Sequence, residues 1–429
     1  MTQRQTDAAG GLAHNVRHVA SLDIPGGGQV VVRDGYAYVG HMRPPHGTSI
    51  VDVRDPAQPR VVAEIPPPSG YSHAHKVRVV GNLLYANVER DNRHFYRKGE
   101  RIGEVEADLQ SRLGRAPSEG EIAHEIGVAE SDMADLRTGL AHGYDEGGFR
   151  IFDISDVANP RELVHHRTGG IGVHRFDVDD QYAYISTEME GYVGNILVIY
   201  DVSDPGAPQE VSRWWMPGQH VAGGETPTWT GQRCRLHHAL RDGDRLWASC
   251  WHAGARIIDI SDIHNPKTAG SYAYQPPFPE PTHTFMRVPN LVDGREIAAI
   301  ADEQHETVPG QPPGFLWVVD VTDPKEVRSI STFHVSPLET PYADQGGRFG
   351  LHQFAEQIDG SLLYAAWFSA GLRIIDLANP SLPQEIGSYV PAPLGGQPVP
   401  QANDVALDED GLIYMIDRHR GLHIMEFER

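Results

Sequence analysis

The histidines are the residues of this chain whose type and spacing can do chemistry. Five of them open runs with the alternation of a β-strand: His75-Lys-Val-Arg-Val-Val, His174-Arg-Phe-Asp-Val-Asp, His238-Ala-Leu-Arg-Asp-Gly, His283-Thr-Phe-Met-Arg-Val and His352-Gln-Phe-Ala-Glu-Gln. Asn403 holds the same place in a sixth run and Gln29 in a seventh. One histidine at a strand start needs no more than a neighbouring loop to hydrogen-bond. Five at one repeated position, out of 23 in the chain, point instead to a shared centre. Neutral imidazole is the commonest ligand for zinc, copper, iron and nickel. The expected ligands are therefore His75, His174, His238, His283 and His352, around one transition metal. A nearly all-nitrogen shell favours iron or copper, with manganese or zinc as alternatives. His238 and His352 come first, because each adjoins another donor, His237 and Gln353. Alternation puts His237 on the opposite side of its strand from His238, and His73 on the same side as His75.

The elements that must position these residues repeat. Arg235 to Gly254 holds two strand-like runs around Asp242-Gly243, a hairpin signal, and similar hairpins recur. Each is followed by a β-branched motif ending in an acid: Ser49-Ile-Val-Asp52, Arg150-Ile-Phe-Asp153, Val198-Ile-Tyr-Asp201, Arg256-Ile-Ile-Asp259, Trp317-Val-Val-Asp320, Arg373-Ile-Ile-Asp376 and a degenerate His423-Ile-Met-Glu426. An Asp/Asn turn and one more short strand follow each copy but the last. Seven copies of a four-stranded unit predict an all-β, seven-bladed β-propeller. The last copy lacks its outer strand, and Val16–Ile24 is the strand left over to supply it, so the N-terminus closes the last blade. The inner strands line the channel, which sets the histidines in a ring at its mouth.

These motifs resemble the LVIVD-repeat family of β-propeller proteins over nearly the whole chain, with Ile196-Leu-Val-Ile-Tyr-Asp201 the nearest match to the family's name. The resemblance implies the architecture and says almost nothing about a reaction. The histidine ring is similar to those of two kinds of propeller enzyme. Carotenoid-cleaving oxygenases and selenium-binding-protein-like methanethiol oxidases imply oxidative chemistry on iron or copper. Oligogalacturonate-lyase-like propellers imply elimination from a uronate on manganese.

The second strand of each hairpin runs back to the same mouth, so its end supplies candidate catalytic groups. Glu188 and Glu303 are placed to orient imidazoles or move protons. Arg90 and Arg418, with Arg420 beside the latter, are placed to clamp a carboxylate or phosphate. His252 completes the set. All five long excursions, 92–147, 217–234, 303–314, 336–350 and 391–402, leave from this face. The first divides the chain into a propeller of residues 1–91 and 148–429 and a helical insertion, 92–147, in blade two. Ser118-Glu-Gly-Glu121 is a capping box opening one helix, and a second is expected near Ser131 to Thr138. Leu113 to Val128 looks like a helix-turn-helix piece of bacterial sigma factors. Ser118 to Leu136, however, carries six acids and no Lys or Arg, the wrong charge for a phosphate backbone. A lid, or a surface for a protein partner or self-association, fits better.

Net charge is −22, from 58 acidic and 36 basic residues, which argues against nucleic acid or an anionic membrane as partner. No apolar run reaches bilayer length, and the N-terminus lacks the apolar core of a signal peptide. The only cysteines, Cys234 and Cys250, are expected as reduced core thiols, with a disulfide or a soft ligand as alternatives. A soluble, cytoplasmic protein is expected. No nucleotide-binding glycine loop, nucleophile elbow or hydrolase triad is present. The function expected is a metal-dependent oxidoreductase with a mononuclear centre, acting on a small, possibly anionic, organic substrate. The alternatives are a metal-dependent lyase or hydrolase on a sugar-acid-like substrate, and a non-catalytic interaction scaffold.

Overall fold

The computed structural model of the protein describes residues 4–229, 232–275, 278–305, 307–308 and 310–428. Its repeated local device is a double turn after each motif strand. The motif acid accepts from the backbone N–H two residues on: Asp153 from Ser155 at 2.9 Å, Asp201 from Ser203 at 2.9 Å and Asp376 from Ala378 at 2.8 Å. Three residues later a second Asp or Asn repeats the bond, as Asp156 does with Ala158 at 3.1 Å and Asn379 with Ser381 at 3.1 Å. A side-chain carboxylate that mimics the turn carbonyl reverses the chain without help from outside the repeat.

Each of the first six motif strands pairs with the hairpin before it and the short strand after it. In the first unit these are Gly27–Arg33, Tyr36–His41, Thr48–Asp52 and Arg60–Ile65, all antiparallel. Among the described residues the pairings form seven such four-stranded units. The later inner strands are Val77–Val80, Gly169–Val178, Cys234–Asp242, Thr282–Arg287, Leu351–Phe354 and Ala402–Leu407. The core lies between units. Tyr85 and Phe149 of the second unit pack with Ile185 and Val198 of the third, and Trp247 of the fourth with Phe285 and Ile300 of the fifth. Tyr414 and Ile416 of the last meet Val30, Val39 and Val51 of the first, which closes the circle. The N-terminal strand, Val16–Pro25, lies antiparallel on Arg420–Phe427 as its missing outer partner. Upstream, Gln5–Thr6 and Leu12–His14 form a hairpin that the sequence did not suggest, and Leu12–His14 extends the sixth unit by pairing with Gln384–Val390.

The insertion holds four helices where two were expected: α1 (Arg93–Gly99), α2 (Ile102–Leu113), α3 (Glu119–Ile126) and α4 (Met133–His142). Neither α1 nor α2 has a side-chain cap at its N-terminus, so nothing in the local sequence announced them. They pack on their own small core of Ile102, Val105, Leu109, Ile122, Ile126 and Leu136. The capping box on α3 is complete, with Ser118 accepting from Glu121 N–H and the Glu121 carboxylate accepting in return. Ser118→Ala is expected to cost the insertion about 1 kcal/mol. Faster amide exchange confined to α3 would show it, with propeller amides unchanged. Among the described residues no helix is long and apolar enough to cross a membrane. Cys234 and Cys250 are unlinked and packed in the core between the third and fourth units. Burial pushes the Cys250 thiol up to about 12, so it stays protonated at neutral pH.

Candidate metal centre at the channel mouth

The ring residues are set by a bulge. Val173 pairs with Thr187 and Arg175 with Ser186, so His174 is left over between them. His283, His352 and Asn403 are skipped in the same way in their strands, and Gly28 in the first unit. A bulged residue is re-aimed out of the ladder, here toward the axis. In the fourth unit His238 pairs regularly with Ser249, and the irregular stretch before it is Arg235 to His237, which lies opposite Cys250 alone. The ring therefore reads Gly28, His75, His174, His237, His283, His352 and Asn403. This corrects two positions. Gly28 replaces Gln29, because a Cβ at Gly28 would lie 2.6 Å from the His75 carbonyl oxygen. His237 replaces His238, because the regular pairing begins only at His238 and it is the His237 ring that lies between those of His174 and His283.

His238 instead joins a charged layer beneath the ring. Its Nδ1 is 3.4 Å from Glu356 Oε1 and 3.3 Å from an Arg175 nitrogen, and its Nε2 is 3.4 Å from Arg78. The other four predicted ligands do come together, on an arc completed by His237. Ring centroids are 5.4 Å apart for His75 and His174, 4.8 Å for His174 and His237, 4.2 Å for His237 and His283, and 4.3 Å for His283 and His352. His73 adds a sixth imidazole, 4.2 Å from His75.

Hydrogen bonds behind the rings choose the nitrogen that faces the centre. His237 Nδ1–H donates to the carbonyl of His283 at 2.9 Å, and His352 Nδ1–H to the carbonyl of Asn403. In both, Nε2 is left as the lone-pair nitrogen, which is how outer partners prepare a metal ligand. His73 lies between two acceptors, its Nδ1 3.1 Å from the carbonyl of Met42 and its Nε2 3.0 Å from Glu89. Burial pushes all five ring imidazoles well below their usual pKa, and nearby cations add to the effect at each. Neighbouring histidines add to it at His75, His237 and His283, while Glu89 and Glu303 oppose it at His75, His174 and His352. They are neutral at pH 7, as ligation requires.

Two buried carboxylates face them. Glu89 Oε2 lies 3.0 Å from His73 Nε2, 3.0 Å from His174 Nδ1 and 4.0 Å from His75 Nε2. Glu303 lies 4.0 Å from His283 Nε2 and 3.9 Å from His352 Nε2. Burial opposes ionisation of both. Arg93 and His174 outweigh it at Glu89, and His305, His352 and Arg348 at Glu303, so each stays a carboxylate well below the usual range. Donors bonded to one ion at about 2.1 Å are at most about 4.2 Å apart. The sets His73, His75, Glu89 and His283, Glu303, His352 meet that limit at every His–Glu distance. At Glu89 the His73 ring donates to the carboxylate, and it is the spacing of the three donors that a shared cation would need. The donor set thus fits a divalent cation.

The remaining candidates divide by strand alternation. Glu303 and Arg418 line the mouth, Arg418 donating to Asn403 Oδ1 at 3.1 Å with its pKa lowered by burial and by Arg348 to about 10. Arg90 does not line it. Its guanidinium donates to the Gly139 carbonyl at 2.8 Å and lies 4.0 Å over the Tyr96 ring, fastening the insertion. The residue that faces the ring from that strand is Glu89, one place earlier. Glu188 pairs with Arg97 of α1, a second fastening, and His252 Nδ1 accepts from the Arg233 backbone at 2.9 Å outside the cavity. Arg420 pairs with Asp23 on the surface. Arg93 and His94 of α1, His305 and Arg348 also line the cavity, about 420 Å³ in volume. None of these four had a strand position to reveal it. Trp251 lies between ring and rim with φ of 54°, a strained value for a bulky residue. Its indole stacks 4.9 Å from His237.

Fold and site together define a β-propeller with a histidine- and carboxylate-rich mouth. The LVIVD repeat model matches residues 27–65, 175–214 and 357–390, so the chain carries LVIVD repeats in three places. No match is found among curated proteins. Of solved structures, Chaetomium thermophilum Raptor is similar at 10% identity over 97% of this chain, with a TM-score of 0.56. The chain spans 30% of Raptor's length. A Pseudomonas aeruginosa periplasmic gluconolactonase, PpgL, is similar at 10% identity, covering 89% of this chain and 88% of its own, with a TM-score of 0.55. The C-terminal WD40 domain of Sif2 is 9% identical, covers 96% of this chain and 98% of its own, and has a TM-score of 0.53. Such likeness establishes the propeller fold alone.

Proposed function

We propose that the chain is a metal-dependent enzyme, an oxidoreductase acting on a small organic substrate held in the channel mouth. The observation that carries this reading is the convergence of two buried His-His-Glu sets on one roofed cavity. Two histidines and one carboxylate with open positions is the donor set of non-haem iron(II) oxygenases. The carboxylates make the shell less nitrogen-rich than the sequence suggested, which favours iron over copper and admits manganese or zinc. A ring of equivalent ligands implied one ion, whereas the two sets offer room for two. A bound ion would supply a Lewis acid and open coordination positions for substrate. The chain's own part is to hold the imidazoles neutral through their Nδ1 bonds and to exclude water beneath α1. Arg348 keeps Glu303 ionised through a 2.6 Å bond, and Arg93 does the same for Glu89. The insertion is read as a lid, since Arg93 and His94 stand inside the cavity and Arg97 binds Glu188 at its rim.

A metal-dependent hydrolase or lyase is the second reading, favoured by the arginines Arg348 and Arg418 in the cavity wall. Elemental analysis of untagged protein prepared without chelator separates the two. One or two equivalents of iron, with oxygen uptake on addition of substrate candidates, is the expected result. Manganese or zinc moves the assignment to hydrolysis or elimination. No metal, even after reconstitution, overturns it in favour of an interaction scaffold.

A further inference from the structure

One guanidinium beside the metal sets has no partner of its own. Arg235 is 4% exposed, and none of its three guanidinium nitrogens finds a hydrogen bond among the described residues. It stands two places before His237 on the inner strand of the fourth unit, in the irregular stretch between the Cys234–Trp251 and His238–Ser249 pairs. Its guanidinium carbon lies 5.0 Å from the centre of the Trp251 ring, which holds the group from one side. The charges around it are mostly of its own sign. Arg93 and Arg97 from α1 and Arg233 from the adjoining loop all act against it, with Glu89 the opposing charge. The same charge reaches His94 and His305 across the cavity. Elsewhere in the mouth the arginines are spoken for: Arg93 by Glu89, Arg97 by Glu188, Arg348 by Glu303.

Burying a guanidinium without a partner costs several kcal/mol, so a fold that keeps one there has a reason outside the free protein. We propose that Arg235 is the anchor of an oxyanion subsite beneath α1, and that the substrate carries a carboxylate or a phosphate bound there. Trp251 and the strand hold the guanidinium plane, which offers two parallel N–H donors to a two-oxygen acceptor. Arg93 and His94 cover the subsite from the insertion. The anion would offset the local excess of positive charge and set the rest of the substrate against the His-His-Glu sets. This deepens the reading of the mouth as a substrate site and rests on it for the word substrate, while the anion site itself does not depend on metal.

The test is calorimetric titration of the full chain with inorganic phosphate and with succinate, with glucose as the neutral control. Each is run on chelator-treated and on metal-loaded protein. Saturable one-to-one binding of either anion and none of glucose is expected in both forms, and whichever anion binds tighter names the headgroup. Arg235→Met keeps the stem on Trp251 and removes the charge. It should weaken the anion at least tenfold, leave metal content unchanged and raise the melting temperature of the ligand-free protein. A purely structural Arg235 gives the opposite sign, a lowered melting temperature with anion affinity intact. Arg235→Lys, which keeps the charge and loses the fork, is the second variant and should show intermediate affinity. Absence of saturable anion binding in the wild type, or equal binding in Arg235→Met, overturns the proposal. Arg235-dependent binding in a protein that takes up no metal leaves the anion site standing and removes the metalloenzyme reading.

Discussion

A His283→Ala, His352→Ala variant should lose the ion held with Glu303, its affinity falling by more than the roughly 10–100-fold that loss of an outer-shell partner costs. Both imidazoles are buried with Nε2 about equally far from the two oxygens of Glu303, 4.0 and 3.9 Å. Removing them leaves one carboxylate already engaged by Arg348. The fold should survive, because neither side chain belongs to the apolar clusters that join the fifth unit to its neighbours. His73→Ala, His75→Ala does the same at Glu89. If each double variant loses one equivalent and their combination loses two, the mouth holds two ions. If either one abolishes all binding, the arc holds one. His238→Ala is the control that separates the corrected ring from the one first read. It should keep every equivalent of metal, at a cost of about 1 kcal/mol for its lost hydrogen bonds. Metal loss in His238→Ala with retention in the ring variants would return the site to His238 and remove the assignment made here.

What the sequence could and could not carry follows from the scale of each signal. The propeller was legible because its information is local and repeated. An Asp that bonds the N–H two residues on writes the same turn into each copy, and a β-branched run before it writes the strand. The place where the N-terminus closes the ring followed from one missing strand. The ring of histidines was legible as a ring, and its register failed in the first unit, where Gly28 holds the place read for Gln29, and in the fourth. Two adjacent histidines sit there, and a bulge decides between them. A bulge is a backbone event that involves both strands of a pair, so counting along one strand cannot find it. Alternation at the strand ends misled in the same way. Glu89 and Arg90 are neighbours with opposite directions, one toward the axis and one toward the insertion, and the arginine looked the better clamp. The first two helices of the insertion escaped notice for want of caps. With them went Arg93 and His94, which reach the cavity from a segment the repeat says nothing about.

The charged layer below the ring was not read from the sequence at all, and it gives the largest expected change in stability. Glu356 meets Arg78 directly, comes within 3.8 Å of Arg175 and lies 3.4 Å from His238. Arg175 is 1% exposed and Lys76 is 4% exposed, so water cannot replace a lost partner. Glu356→Ala would leave Arg175 with the 2.5 Å bond to Gln353 and the His238 ring at 3.3 Å, and Arg78 with Asp177 at 3.2 Å and the Val77 carbonyl at 3.2 Å, so that one carboxylate faces the charge of two arginines. A buried pair broken from one side costs about 3–5 kcal/mol, because the remaining charge is stranded. Urea unfolding of Glu356→Ala should therefore show a loss of about 3 kcal/mol or more. Arg78→Met, Glu356→Ala should lose less than the two single variants together, since it removes the stranded charge along with its partner. Metal content should not change in either, because no residue of the layer belongs to either His-His-Glu set. A Glu356→Ala protein that is as stable as the wild type would mean that the arginines find other partners across the channel. One that folds normally but loses its metal would mean that the layer, rather than the Nδ1 bonds, sets the imidazoles in place.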